Sequence, residues 1–479
     1  MITYEDLLNV KSEKELQDFI LSAIQDHKNS EIYQQAVIAY DYYRKRNVSI
    51  NNFRKLLYTI TGDVVPDNFS ANYKISSAFF PIFVKQEVAY LLGNGVTFND
   101  DNTKTLLGGD SFDNVMMNAG YASLWGGVAF LFFNFDHIQY FSVTEFVPLW
   151  GEEDGALHAG IKFWQIAQNK PLRATLFEED GLTEFIWRNG ECSILKPKIA
   201  YKNIINEDGS INYSEGQNYP SFPIVPMWGN NERQSELVGL RETIDCYDLI
   251  FSGFANTVDE ASTFYWSITN SGGMQDIDLV KFVERMKTIK AAVVDDQGSK
   301  AEAHTLDLPF EARANLLAQL RDALYRDSMA LDTDKISAGQ VTATAINASY
   351  ENITLKSNGF ENCVTESILN LLKLIGVKDA PRYKYSKIIN MKEDTEMILS
   401  AAQYLDDETI LNHLPFLSPD EINNIMERKE QEEASRYEDM KAELEELKNE
   451  VQSRSEAGFG EAETNNSTNE DFNSDSEDS

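Results

Sequence analysis

Between residues 235 and 375 lie three long stretches in which apolar side chains recur every three or four positions, so the fold must place three extended helices. The first is expected over about 235–261, with Ser235 suited to cap its start, Glu236 in its first turn, and a stripe of Leu237, Leu240, Ile244, Tyr247, Phe251, Phe254 and Val258. About 27 residues at 1.5 Å rise make a rod of roughly 40 Å. The second starts at Pro309, a residue suited to a first helical turn, and runs to about 328 with Leu317, Leu320 and Leu324 on its buried face. Residues 330–341 break the rhythm. The third helix spans about 342–375, before Gly376, and carries Ile346, Tyr350, Ile353, Phe360, Val364, Ile368 and Leu371. Gly359 in its middle costs about 1 kcal/mol relative to Ala and predicts a kink. Between the first two helices, 262–307 reads as a compact insertion: a strand over 263–269, a Ser271-Gly272-Gly273 turn, a helix near 279–287 and a strand over 291–294.

The flanking regions have their own character. Residues 1–95 are helical in pattern, from the spacing of Leu16, Phe19, Ile20 and Ile24, a tyrosine stripe at Tyr33, Tyr40 and Tyr43, and an apolar helix over 76–92 that ends at Gly93 and is delayed or kinked by Pro81. Residues 120–228 alternate short aromatic and β-branched runs with Asp154-Gly155, Asp180-Gly181 and Asp208-Gly209 turns, which predicts antiparallel strands closed off by Pro220, Pro223 and Pro226. A helical section over 392–452 includes one helix opening at Ser418-Pro419-Asp420 and a 3-4-3-4 stripe of Tyr437, Met440, Leu444, Leu447 and Val451, about two heptads. From 453 onward Ser, Asn, Glu, Asp and Gly dominate and predict disorder. With 479 residues and 42% hydrophobic content, the chain has the length for two to four structural units and the apolar material for a substantial core. The fold class is α+β and mainly helical.

The chemistry-bearing motifs are missing. There is no GxxxxGK[ST] loop, no HExxH, no GxSxG elbow and no EF-hand loop. His27, His137, His158, His304 and His413 fall in five separate sections, each read as a surface or core histidine, and Cys192, Cys246 and Cys363 form no CxxC pair. Neither a disulfide framework nor a cysteine zinc site follows, and no catalytic residue, metal or cofactor is expected. Asp332 and Asp334 form a DxD, read as capping carboxylates of a solvated loop, with a metal site as the alternative. The Glu-rich 427–450 run reads as a solvated helix face paired with Lys429, Lys441 and Lys448. A net charge of -35 opposes tight DNA binding, since that affinity comes from Lys and Arg displacing counterions. Residues 1–8 carry acids where a signal peptide carries bases, and the apolar runs at 79–84 and 128–135 are too short to span a bilayer, so the chain is expected to be soluble and intracellular when made.

Residues 72–98 (NYKISSAFFPIFVKQEVAYLLGNGVTF) resemble the N-terminal signature of phage portal proteins from long-tailed phages of Gram-positive hosts, an Asn-x-Lys segment before an apolar helix ending in Tyr-Leu-x-Gly, here Tyr90-Leu91-Leu92-Gly93. Later blocks agree in order: 223–231 with 235–247 around Ile244-Asp245-x-Tyr247, Ser337-Ala338-Gly339 with altered spacing, and 406–415 (DDETILNHLP) followed by 421–428.

The resemblance implies a portal fold: a wing over 1–234, stem helices over 235–261 and 309–328, a clip over 262–308, a tunnel loop over 329–341, a wing helix over 342–376, a helical crown over 377–452 and an acidic tail over 453–479. Two straight helices flanking a small insertion can run antiparallel and carry it to one end, and a closed head-to-tail ring would cover the faces a monomer leaves open. The implied protein is a non-enzymatic subunit of a ring of roughly twelve copies at one capsid vertex. It would pass double-stranded DNA and dock the terminase large subunit, then a head–tail connector or adaptor, beside major capsid and scaffolding proteins. It would sit in the virion after assembly in the host cytoplasm, with no membrane partner. Lys335, with its loop neighbours Ser337 and Gln340, is the expected DNA-facing group; the competing reading pairs Lys335 with Asp332 or Asp334. Alternative readings are a head–tail adaptor, a minor capsid protein, or a hydrolase using acids and a metal.

Overall fold

A computed structural model of the chain describes residues 2–58, 63–67, 70–188, 190–205, 211–260, 265–269, 300–304, 310–337, 343–386, 395, 398–414, 417 and 419–457. The chain divides into two compact units, residues 1–387 and 388–479.

The first unit opens with helices α1 (Tyr4–Leu8), α2 (Glu13–Asn29), α3 (Glu31–Tyr43) and α4 (Val48–Asn52). Serine caps start two of them: Ser12 accepts from Glu15 N–H and Ser30 from Tyr33 N–H. Strands β1 (Leu56–Tyr58) and β2 (Val64–Pro66) form an antiparallel pair that the sequence reading did not foresee. Then come α5 (Phe79–Leu92), β3 (Val96–Thr97), α6 (Asp101–Leu106) and α7 (Asp110–Gly126). Helix α7 occupies the first residues of the section expected to be β-rich, so strands begin only at Val128.

Ten strands follow: β4 (Val128–Asn134), β5 (His137–Ser142), β6 (Phe146–Trp150), β7 (Leu157–Trp164), β8 (Leu172–Glu178), β9 (Gly181–Arg188), β10 (Glu191–Ile199), β11 (Lys202–Ile205), β12 (Ile211–Gln217) and β13 (Ile224–Trp228). They build an antiparallel five-stranded sheet in the order β10-β9-β8-β7-β6, a three-stranded sheet β13-β4-β5 and a β11-β12 pair. The turns at Asp154-Gly155 and Asp180-Gly181 lie where expected, while Asp208-Gly209 lies outside the described residues. Pro226 does not close the section but sits within β13, and Pro148 and Pro197 lie within β6 and β10. All three are on edge strands, where proline's missing N–H removes no ladder bond.

Helix α8 spans Arg241–Glu260, so it starts six residues later than expected. Ser235 instead accepts from Leu237 N–H in a local turn, and Gly239 at φ +85° takes a left-handed conformation that no α-helix can pass through. Leu237 and Leu240 are buried all the same. At 20 residues α8 is about 30 Å long rather than about 40 Å. Strands β14 (Tyr265–Thr269) and β15 (Lys300–His304) pair antiparallel. The turn, helix and second strand expected between them lie outside the described residues, as does Pro309.

Helix α9 (Phe310–Asp327) is followed by a short α10 (Thr333–Ser337) inside the stretch expected to be a plain loop, and by α11 (Ala343–Ile375), one helix through Gly359. Gly376 at φ +76° ends α11, with Val377 N–H bonded to Leu372 C=O and Gly376 N–H to Lys373 C=O. Strand β16 (Arg382–Tyr383) then pairs with β3.

One core gathers α3, α5, α7, β4, β5, β13, the start of α8 and α11 around Phe80, Phe112, Phe130 and Phe360. A second forms where Ile20, Ala23 and Ile24 of α2 cover the face of the five-stranded sheet that bears Leu149, Ile161, Leu176 and Phe185. In the second unit, α12 (Asp407–His413) starts at the Asp406 cap and α13 runs Pro419–Ala457. That helix extends past residue 453, where disorder was expected, because the helix formers Arg454, Glu456 and Ala457 carry it on; residues 458–479 lie outside the described set. Its stripe residues Tyr437, Met440, Leu444 and Leu447 are exposed. Among the described residues no helix is long and apolar enough to cross a membrane.

Candidate functional site

Helices α8 and α9 lie antiparallel. At one end Phe79 sets its ring edge-on to Tyr247 at 4.9 Å and to Tyr325 at 6.2 Å. At the other end the Phe254 and Phe310 rings are 5.7 Å apart and Arg313 Nη1 donates to Thr257 Oγ1 at 2.8 Å. Of α9 only Leu324 is buried, and Phe310 and Leu316 are exposed. The adjacent α8 exposes Phe251 and Val258, seven residues apart and so on one stripe.

The segment leaving α9 is held at three points. Met329 adopts φ +55°, a left-handed backbone that costs a non-glycine residue about 1 kcal/mol or more, and Ala330 N–H bonds back to Tyr325 C=O at 3.2 Å. Gln86 of α5 then grips both backbone groups of Leu331: its Nε2 donates to Leu331 C=O at 2.9 Å and its Oε1 accepts from Leu331 N–H at 3.2 Å. The Leu331 side chain is buried against Tyr90, Tyr350 and Ile353. Finally, Arg321 of α9 donates Nη1 to Asp332 Oδ2 at 2.9 Å, Nη2 to Asp332 Oδ1 at 2.8 Å and Nη2 to Asp334 Oδ2 at 2.6 Å. Its guanidinium lies 4.8 Å from the centre of the Tyr325 ring.

The DxD pair is therefore occupied by an arginine fork. Lys335, 61% exposed, reaches Asp322 Oδ1 on α9 at 2.9 Å and stands 4.0 Å from Asp332 Oδ2. Its main partner is thus on the preceding helix, not within the DxD, and Lys335 holds Asp322 below the usual carboxylate range. Ser337 is the last residue of α10, and Gln340 lies outside the described residues.

A second charged cluster sits at the base of α8. Lys356 Nζ of α11 lies 2.8 Å from Glu87 Oε2 of α5 and 2.8 Å from Glu236 Oε2. The Glu87 side chain is only 3% exposed, and its contact with Lys356 is an ion contact rather than an aligned hydrogen bond. Burial pushes the Glu87 carboxyl up to about 7, with Lys356 opposing and Glu236 adding to the rise. Burial also works against the charge of Lys356, but Glu87 and Glu236 outweigh it and hold its pKa above the ordinary value. A cavity of about 390 Å³ adjoins this cluster, lined in part by Asn230, Glu232, Asp327 and Gly359. Nothing in the sequence reading pointed to Arg321, Gln86, Glu87 or Lys356 as a group.

Four of the histidines have structural partners, and Cys246 is a free, exposed thiol. His27 is buried with Nε2 2.7 Å from Val143 C=O, and burial lowers its pKa. His158 lies between Asp154 at 2.8 Å and Glu179 at 3.1 Å; burial opposes its charge, but these hydrogen bonds raise its pKa on balance. His137 pairs with Asp136 and His413 with Thr409 C=O. Burial pushes the Cys192 thiol up to about 11 and raises Cys363 as well, which leaves both poor nucleophiles. Among the described residues no group of three or more His, Cys, Asp or Glu side chains is placed to hold a metal ion.

The sequence pattern of the phage portal protein family of the SPP1 Gp6-like type matches residues 22–448. The chain belongs to this family. A portal protein of Clostridium phage phiCD119 is 24% identical over 379 residues, covering 73% of this chain and 82% of the relative. The portal protein of Bacillus phage SPP1 is 25% identical over 388 residues, covering 74% of this chain and 73% of its own. Among solved structures, a chain from the neck of a native GTA particle computed with C12 symmetry aligns at a TM-score of 0.38 and 11% identity, over 71% of this chain and 91% of that one. A chain from the virion of a native gene transfer agent particle aligns at 0.37 and 10% identity, over 68% and 85%.

Proposed function

We propose that this portal-family chain is the subunit of a closed ring at one capsid vertex, whose channel passes double-stranded DNA into and out of the capsid. In this reading 1–234 and 342–376 form the wing, α8 and α9 the stem, 262–308 the clip, 329–341 the channel loop, 377–452 the crown, and 453–479 an acidic extension. The clip docks the terminase large subunit and then a head–tail connector, with major capsid and scaffolding proteins around the wing. The chain performs no chemistry itself, and the work of translocation comes from the terminase.

One observation supports this reading best. Helix α9 has 18 residues and buries only Leu324, while its Phe310 and Leu316, like Phe251 and Val258 of α8, stay exposed. A helix pair so poorly covered needs a neighbour. In a head-to-tail ring each stem covers the next, and no free face remains. The charge of -35 suits a conduit rather than a grip, because carboxylates cannot displace the counterions of a sliding duplex.

The test is light scattering with negative-stain imaging of purified full-length chain, alone and co-expressed with capsid and scaffolding proteins. Rings with a central hole and a mass of roughly twelve subunits are the expected result. A compact two-fold dimer under both conditions would overturn it.

A further inference from the structure

We propose that Arg321 is the positioning residue of the channel loop: by gripping Asp332 and Asp334 from α9 it fixes the direction in which residues 330–337 leave the stem. The proposal rests on the reading of 329–341 as the loop that faces DNA.

Three observations carry it. The first is the geometry of the grip. Both Asp332 oxygens accept from Arg321, at 2.9 and 2.8 Å, and Asp334 adds a third bond at 2.6 Å. A two-pronged bond fixes orientation as well as distance, which a single contact cannot do. The second is that the guanidinium is itself held. Its face lies 4.8 Å from the Tyr325 ring centre, and Tyr325 in turn packs edge-on against Phe83 at 5.3 Å and Phe79 at 6.2 Å, both in α5. The position of the loop is thereby referred to the core through a chain of rigid aromatic contacts. The third is the division of labour around the grip. Gln86 and the buried Leu331 anchor the segment before it, and Lys335 is drawn back to Asp322 after it. Arg321 sits between these fixed points, where the chain turns into α10.

The charges agree with this role. Arg321 and Lys335 face Asp322, Asp332 and Asp334. Without Arg321, three carboxylates would share one lysine. Mutual repulsion would then push the loop off α9, and the Asp332 side chain, 9% exposed, would be buried without its partner.

The experiment uses full-length protein in a portal-dependent DNA packaging assay, with ring formation measured on the same samples. Arg321→Ala is expected to form rings yet lower packaged DNA at least tenfold. Arg321→Lys, which keeps the charge but loses the fork, should fall between the two, and the swap Arg321→Asp with Asp332→Arg should recover most of the packaging. A purely structural role would lower ring yield and packaging in proportion, leaving the packaging per ring unchanged. Should Arg321→Ala fail to assemble, Asp332→Asn with Asp334→Asn tests the same grip from the loop side. Wild-type packaging by either disabled variant's rings, or loss of assembly in both variants, would overturn the proposal. Failure of the wild-type chain to form rings or package DNA would instead sink the portal reading, a separate outcome.

Discussion

Several charged side chains occupy positions that their helices' apolar spacing reserves for the core. Lys356 falls three residues after Ile353 and four before Phe360, and Glu87 three after Val84 and four before Leu91. Arg321 falls four after Leu317 and three before Leu324, and Asp248 four after Ile244. Each has a polar partner in the folded chain: Lys356 has Glu87 and Glu236, Arg321 has Asp332 and Asp334, and Asp248 receives the Ser77 N–H at 2.9 Å. A charge within an apolar stripe was thus a legible sign of a buried polar contact, although its partner was not, because the partners lie on elements distant in sequence. Lys335 shows the same limit. Its local pairing could be anticipated, but the choice of Asp322 over the DxD depends on how α10 folds back along α9.

Glu87 makes the first prediction. Its carboxyl titrates near 4.5 in the unfolded chain and near 7 in the folded one, so between those values the native state holds a proton that the unfolded state has released. Its contribution to stability is therefore present below about pH 4.5 and lost as pH rises to about 7. Glu87→Gln removes that dependence. The melting temperature of the variant relative to wild type should rise by a few degrees between about pH 5 and about pH 7, about 1 kcal/mol or more. A difference that stays flat across this window would show that Glu87 does not titrate there.

At the scale of elements, helix existence was legible and helix ends were not. The apolar periods located α8, α9 and α11, and Gly376 marked the end of α11 as expected. Gly239 moved the start of α8, because Ser235 and Glu236 look like a helix start whether or not a left-handed residue follows. The prolines misled in the opposite direction: Pro226 suggested an end to the strands, yet an edge strand accommodates it. The short β1-β2 pair was missed because three-residue strands carry too little alternation to read.

Two glycines related to α11 are expected to respond oppositely to alanine. A Cβ at Gly359 meets only Asn231 Nδ2 at 3.9 Å, so Gly359→Ala should stabilise the chain by about 1 kcal/mol. Gly376 has φ +76°, and Gly376→Ala should destabilise by about 1 kcal/mol. Chemical denaturation of both variants checks the pair; equal effects would mean that the backbone at one of these positions differs from that described.

At the scale of the whole molecule, what a single chain leaves open matters more than what it buries. Leu316 is exposed in the isolated subunit, so Leu316→Asp should change its melting by less than about 0.5 kcal/mol while abolishing ring formation. Circular dichroism melts and light scattering on one sample separate the two effects. A variant that still forms rings would place the subunit contact elsewhere than on α9. This level of organisation was the least legible in the sequence, because apolar spacing marks a face for burial without saying whether the same chain or another covers it.

The edge prolines have a consequence for such a protein. The five-stranded sheet ends in Pro148 on β6 and Pro197 on β10, and β13 carries Pro226 at one edge of the other sheet. A subunit that associates in many copies, as in the proposed ring, would crowd its own kind, and crowded open strands would stack into fibrils that never close. With proline at these margins, strand-by-strand growth is blocked there. In the proposed ring, association is left to the helices, whose geometry can curve round to a finite end.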